Sequence, residues 1–379
     1  IYQNDLGIAF ELIANNDQLI FTDAASDPYD NGGLDDLDVN QDTIDDLIGA
    51  ANYDIGHLFT TGGGGIAFTR SVCTSDKSKG TSGFPNISSS FFVSITAHEI
   101  GHQFNASHTH NALDLDNLSS CSSLDDRSDS TAYEPGSGST IMSYATICGE
   151  QNLQSFFGDY FHAASIAQIS DFVQNGAGAS CGTSLPQMNA VPTADAGADF
   201  VIPAATPFIL SGSASDADIG DDLTYVWEQF DLGQATTSRA ELVDNGEGPL
   251  FRSFEPVMTA SRTDLIRYLP RLEDVLNSET VIGEAYPTTN RNLNFRLTIR
   301  DNAAGGGATA FDDVVVRVTA AAGPFLVTSP ALNDQWQTGQ IQNVTWDVAN
   351  TDVEPVNCST VDISLSVDNG LSFPTLLVN

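Results

Sequence analysis

SSFFVSITAHEIGHQFNASH, residues 89–108, is the stretch on which the reading of this chain turns. Residues 89–104 carry apolar side chains at three- to four-residue spacing behind a serine-rich start, the pattern of a helix. On a helix, His98 and His102 lie about 40° apart around the axis and about 6 Å along it, so both imidazoles leave one face. Two neutral imidazoles so placed can share one Zn²⁺ at about 2.0–2.1 Å. Glu99 follows the first histidine. It sits beside that position but points away enough to reach a water instead of the metal, which is the place for a general base. A catalytic zinc takes three protein ligands and keeps one position open. His108 comes six residues after His102, and a continuing helix would rotate it about 240° away. The chain must therefore turn sharply in between. Asn105 stands at that turn, and after glycine asparagine is the residue that best tolerates positive φ.

Downstream, EPGSGS leads into STIMSY, residues 139–144. Met142 in a tight turn can form an apolar floor beneath the histidines, and Tyr144 can reach the metal or a developing oxyanion. Alone, a Met-Ser-Tyr turn is ordinary packing; its place after the histidines makes it supporting evidence.

HEIGHQFNASH and TIMSY together resemble the metzincin clan of zinc endopeptidases, whose motif HExxHxxGxxH is followed by a Met-turn. More narrowly, the chain is similar to the reprolysin-like secreted metallopeptidases of bacteria, whose catalytic domains lead into PKD-like and fibronectin-like β modules. The resemblance is strongest over residues 50–165 and extends over 1–180. It implies that His98, His102 and His108 bind zinc, that Glu99 is the general base and acid, and that Met142 is the Met-turn residue. Tyr144 matches the tyrosine that astacin-like and serralysin-like members use as an extra zinc ligand or transition-state donor. Asn105 replaces the motif glycine and Thr109 follows the third histidine, so the subfamily stays open. The resemblance also implies a removed propeptide, a first strand and most of a first helix before Ile1, and an edge strand above the cleft. GIAFTR (65–70) is the candidate for that edge, pairing with an extended substrate by strand addition; an ordinary internal strand fits it equally.

The 379 residues carry 13 Lys plus Arg against 50 Asp plus Glu, a net charge of -37. Such a surface repels phosphate backbones and anionic lipid, which excludes nucleic acid and membrane surfaces as partners. It suits a soluble protein in salt. No apolar run reaches the roughly 18 residues of a membrane span. Four of the five cysteines, Cys73, Cys121, Cys148 and Cys181, precede residue 182, with Cys358 apart. None forms a CxxC pair, so two disulfides in an oxidising compartment are expected, with Cys121–Cys148 the preferred pair. Ile1 opens without a leader and LSFPTLLVN closes on a strand-like run, so both ends read as cut. The sequon Asn105-Ala106-Ser107 would put a glycan against the metal, which favours a bacterial source.

The fold class expected is α+β, an α/β/α metzincin-like catalytic domain with a twisted mixed sheet, followed by all-β sandwich modules. Residues 8–14, 17–23, 53–61 and 65–70 read as strands, and 89–104 and 161–176 as helices, the second closed by Gly176. The catalytic domain spans 1–182. Residues 183–197 read as a linker. Alternating strands at 199–212, 223–230, 293–301 and 312–320 place a PKD-like or Ig-like sandwich at 183–322, with an insertion near 246–290. A fibronectin-like module begins at 323 and runs to 379.

Other features have plainer readings. His110 has the wrong spacing for a ligand, and His57 and His162 read as structural. The acidic stretches 34–46 and 215–222 have the carboxylate spacing Ca²⁺ uses but match no EF-hand, so solvated loops are expected, with a structural Ca²⁺ as the alternative. Trp227, Trp336 and Trp346 read as core. Two functions compete: a secreted or cell-surface-associated zinc endopeptidase acting on protein or peptide substrates, and a non-catalytic extracellular adhesion or binding protein with an idle metal site. Glu99 favours the first, because a structural zinc site has no use for a base and fills its fourth position with protein. Cleavage specificity and oligomeric state are not legible.

Overall fold

The structure, a computed structural model, describes every residue except 31–33, 87, 116–119, 124–125, 186–188, 260, 369, 371 and 379, and the side chains of Leu34 and Asp35. Part of the expected linker, 186–188, thus lies outside the described residues. Helices and several sheets are mixed along the chain, an α+β arrangement. The first half holds helices α1 (Tyr2–Leu6) and α2 (Leu34–Leu47), strands β1 (Leu58–Thr60), β2 (Gly64–Ala67) and β3 (Gly80–Gly83), and helices α3 (Ser90–Gln103) and α4 (Ala163–Asn175). The strands form a mixed sheet in the order β1-β3-β2, with β3 parallel to β1 and antiparallel to β2.

Ser89 starts α3: its Oγ accepts from Phe92 N at 3.2 Å, a cap worth about 1 kcal/mol. The helix lies close against β3. A Cβ on Gly80 would stand 2.5 Å from Gln103 Oε1, so glycine is required where the sheet meets the helix. His57 ties the same joint, with Nδ1 2.7 Å from Gln103 Oε1 and Nε2 2.8 Å from Ser82 Oγ. Beneath α3, Met142, Phe161, Ile169 and Phe172 form a core with Tyr2, whose hydroxyl donates to Ala97 O at 2.7 Å. His162 Nδ1 accepts from Ala164 N at 3.1 Å and caps α4, the structural role expected of it.

Two expectations fail here. Residues 8–14 and 17–23 form no strands; they are irregular apart from a 3-10 turn at Asn16–Leu19, and Phe10, Leu12 and Ile20 are exposed. Apolar alternation needs a neighbouring strand to take its backbone groups, and the described sheet gives these segments none. The acidic stretch 34–46 is a helix, not a loop. Its carboxylates at Asp38, Asp42 and Asp46 line one exposed face while Leu37, Gln41, Ile44 and Ile48 are buried on the other, the three-to-four spacing of an amphipathic helix.

The second half contains β4 (Thr193–Asp195), β5 (Phe200–Pro203), β6 (Phe208–Ser215), β7 (Thr224–Gln229), β8 (Val257–Met258), β9 (Leu265–Leu269), α5 (Leu272–Asn277), β10 (Arg291–Arg300) and β11 (Thr309–Thr319). Two sheets, β5-β11-β10-β7-β8 and β4-β6-β9, contribute to one apolar core. β10 shows how: Leu293, Phe295, Leu297 and Ile299, every second residue, are buried. Residues 246–290 supply β8, which pairs with β7, and β9, which pairs with β6. Beyond 323, β12 (Leu326–Ser329) pairs with β13 (Thr345–Asp347), and β14 (Ile363–Leu365) with β15 (Thr375–Val378). Trp227 is core, its Nε1 donating to Leu265 O at 2.9 Å. Trp336, expected in a core, is instead 49% exposed, because no described strand forms around it.

The two halves pack together. Arg300 Nη2 donates to Phe161 O at 2.8 Å and its Nε lies 3.1 Å from Asp5 Oδ1. Ala163 N donates to the buried Glu228 at 3.0 Å. Disulfides join Cys73 to Cys181 and Cys121 to Cys148, the second being the preferred pair; Cys358 is free and exposed.

Candidate metal centre

His98 and His102 leave one face of α3, and the chain then turns at Asn105, whose φ is 80°. The turn returns His108 to the same point. Its Nε2 lies 3.1 Å from His98 Nε2 and 3.0 Å from His102 Nε2, and the latter two are 3.1 Å apart. Each Nδ1 faces a main-chain carbonyl: His98 that of Ile141 at 2.7 Å, His102 that of Ala106 at 2.8 Å, and His108 that of Asp126. A carbonyl only accepts, so each Nδ1 carries the ring proton and each Nε2 presents a lone pair. Burial keeps the rings neutral, pushing His98 down to about 3, His102 to about 4 and His108 well below its ordinary value.

Three converging lone pairs repel one another and cannot be hydrogen-bonded among themselves; a cation at their centre reverses that. Nitrogens at tetrahedral positions about 2.0–2.1 Å from zinc lie about 3.3–3.4 Å apart, so a small outward movement fits these three to the ion. Among the described residues, groups of ligand atoms close enough to share a metal are this triad and Asp216, Asp221 and Asp301. The latter includes part of the acidic stretch 215–222; Asp301 joins it from the end of β10.

The remaining expected residues gather round the triad. Glu99 is buried, and burial pushes its carboxyl up to about 8. The backbone of β2 passes directly over it: a Cβ on Gly65 would stand 2.5 Å from Glu99 Cγ. Met142 is fully buried beneath the helix, and a Cβ on Gly101 would stand 2.5 Å from its Sδ. Tyr144 has its ring centroid 4.4 Å from that of His108. The three differ in one respect: Met142 lies under the site, whereas Glu99 and Tyr144, with Gly64–Ala67 of β2, line an open cleft of about 730 Å³. The cleft's apolar wall includes Phe84, Phe91, Ile95 and Phe157.

His110 is not brought into the triad. It is buried, stacked on Tyr144 at 4.4 Å and 13°, and neither ring nitrogen has a hydrogen-bond partner. Burial pushes it down to about 3, so it is a neutral packing ring. Sequence reasoning missed Glu134. This buried carboxylate accepts from Thr109 Oγ1 at 2.6 Å, Ser139 N at 2.7 Å and Thr140 N at 3.2 Å. It therefore ties the residue after the third histidine to the start of the Met142 turn. Nothing around YEPGSGS marks it, and the orienting carbonyls of Ile141, Ala106 and Asp126 have no side-chain signature at all.

Residues 1–172 match the model of the family described as metallo-peptidase family M12B, reprolysin-like. The match supports a reprolysin-like metallopeptidase domain over that range; peptidases of this family use zinc and act on proteins or peptides. No match to the chain was found among curated proteins. Two disulfides fit an oxidising, extracellular setting, and no described helix is long and apolar enough to cross a membrane.

Proposed function

We propose that the chain is a secreted zinc endopeptidase, with 1–182 as catalytic domain, 183–322 as a β-sandwich module and 323–379 belonging to a further β module. The observation that carries this reading is the convergence of three Nε2 lone pairs within 3.1 Å on an open cleft, beside a buried carboxylate. His98, His102 and His108 are the residues that hold the ion. Zinc there supplies Lewis-acid activation of water and of the scissile carbonyl. Glu99 takes a proton from the attacking water as the new C–O bond forms, then passes it to the nitrogen of the leaving amine as the C–N bond breaks. Beside a dication, the carboxylate form of Glu99 is favoured despite its burial. The Tyr144 hydroxyl donates to the oxyanion, and burial, which raises it further above its ordinary value, keeps that proton in place. β2 lies at an edge of its sheet and over Glu99, which supports it as the strand that pairs with an extended substrate.

The test is hydrolysis of casein or gelatin by the intact protein, with and without a chelator, beside Glu99→Ala. Chelation should abolish cleavage and zinc restore it, while Glu99→Ala should keep the metal and lose about 100-fold or more in kcat. A wild-type protein with one zinc per chain and no cleavage would turn the reading towards a binding protein with an idle site.

A further inference from the structure

The segment carrying the third histidine is held from both sides. On one side, Asn111 N donates to Glu134 O at 2.9 Å and Ala112 N to Gly136 O at 2.8 Å. On the other, the neighbour comes from the second half of the chain: Thr236 N donates to Asn111 O at 3.1 Å and Leu113 N to Thr236 O at 2.8 Å, a parallel bridge between Ala112 and Thr236. Side chains close the same joint. Asn111 Nδ2 donates to Gln234 O at 3.0 Å. Arg127 gives Nε and Nη2 to Asn111 Oδ1 at 3.1 and 2.8 Å, and Nη2 also to Gly233 O at 2.7 Å. Asn111, Ala112, Arg127 and Thr236 are all buried. Arg127 directly follows Asp126, whose carbonyl takes the Nδ1 proton of His108. The carboxylate paired with Arg127, Asp129, is 92% exposed and so holds it weakly. The buried acceptors fix the guanidinium.

We propose that the 231–236 loop of the second half is a working part of the metal centre: through Arg127 and Asn111 it holds the Asp126 carbonyl and residues 108–113 where they aim His108 Nε2 at the ion. This rests on reading the three histidines as a zinc site. Arg127, Asn111 and Gly233 are positioning residues, and none of them lines the cleft. A partner that orients a ligating histidine is typically worth about 10- to 100-fold in metal affinity. Arg127 makes two bonds to one oxygen from a planar fork, a geometry lysine does not reproduce.

A variant far from the cleft tests this. A Cβ on Gly233 would stand 2.5 Å from Gly248 N, so Gly233→Ala displaces the loop whose carbonyls receive Arg127 and Asn111. In the full chain, Gly233→Ala, Arg127→Met and Arg127→Lys are compared with wild type and with Arg317→Met, an exposed residue of β11. Four quantities are read: zinc release to a chelator, amide exchange of residues 111–113 in the metal-free protein, and kcat and KM on a peptide. The expected result for Gly233→Ala and Arg127→Met is about tenfold faster zinc release, faster exchange, and a lower kcat with little change in KM, while Arg317→Met behaves as wild type. A folded Gly233→Ala with wild-type release and exchange overturns the proposal. If Arg127→Met does not fold, Gly233→Ala and Arg127→Lys decide in the same way. A wild-type chain that holds zinc but cleaves nothing defeats the peptidase reading alone, and release and exchange still decide this one. A chain that takes up no zinc overturns both.

Discussion

The histidine region and the β10–β11 region are both buried, yet different forces order them. β10 and β11 repeat one rule: Phe295 and Leu297 face the core with Val314 and Val316, each at most 1% exposed. Their stability scales with apolar area removed from water and has no strong direction. Around the third histidine polar side chains are buried beside the apolar ones: Thr109, Asn111, Glu134, Ser139 and Thr140 are all at most 2% exposed. Each needs a partner, since an orphaned buried group costs about 1–3 kcal/mol. Hydrogen bonds are directional, so this network can aim three ring nitrogens at one point, which apolar contact alone does not do. The facing rows of β10 and β11 are thus specified by area, and the surroundings of the third histidine by bond geometry.

The comparison breaks most directly at Phe295. Phe295→Ala should cost about 3–5 kcal/mol in denaturant unfolding; a loss below about 1 kcal/mol would mean that apolar area does not carry this region. Glu134→Ala should cost less, about 2–3 kcal/mol, but should also hasten zinc loss to a chelator, because Thr109 is released from the Met142 turn. A Glu134→Ala protein with unchanged zinc retention would show that the network is only structural.

The smallest effect sharpens the comparison through pH. Burial, partly offset by its bond to Gln103, pushes His57 down to about 4. Between pH 6.5 and 4 the unfolded chain binds a proton there that the folded chain refuses, so folding stability falls as pH drops through that window. His57→Gln in the metal-free protein should flatten the loss between pH 7 and 5 by about 1–2 kcal/mol. An unchanged pH dependence on urea unfolding would assign the acid sensitivity elsewhere.

Legibility in the sequence follows the range of the interactions. α3 and α4 were readable because periodicity and caps are local. The strands of β6, β7, β10 and β11 were readable because alternation is local too. β3, GTSG, shows nothing of a strand; it becomes one because β1 and β2 take up its backbone groups on both sides. Segments 8–14 and 17–23 show the reverse, with strand-like residues and no strand partner among the described residues. α2 departs from the loop expectation because Leu37, Gln41 and Ile44 recur at helical spacing between its carboxylates.

The order of residues alone determines three histidines of ligand type, their four- and six-residue spacing, the carboxylate beside them and the need for a turn at Asn105. These depend only on helix geometry and on the chemistry of imidazole and carboxylate. Tertiary structure alone decided which carbonyls orient the rings, that Glu134 joins Thr109 to the Met142 turn, and that a loop more than a hundred residues later in the chain reaches Arg127. Those contacts join backbone atoms and distant segments, and neither leaves a periodic trace in the sequence.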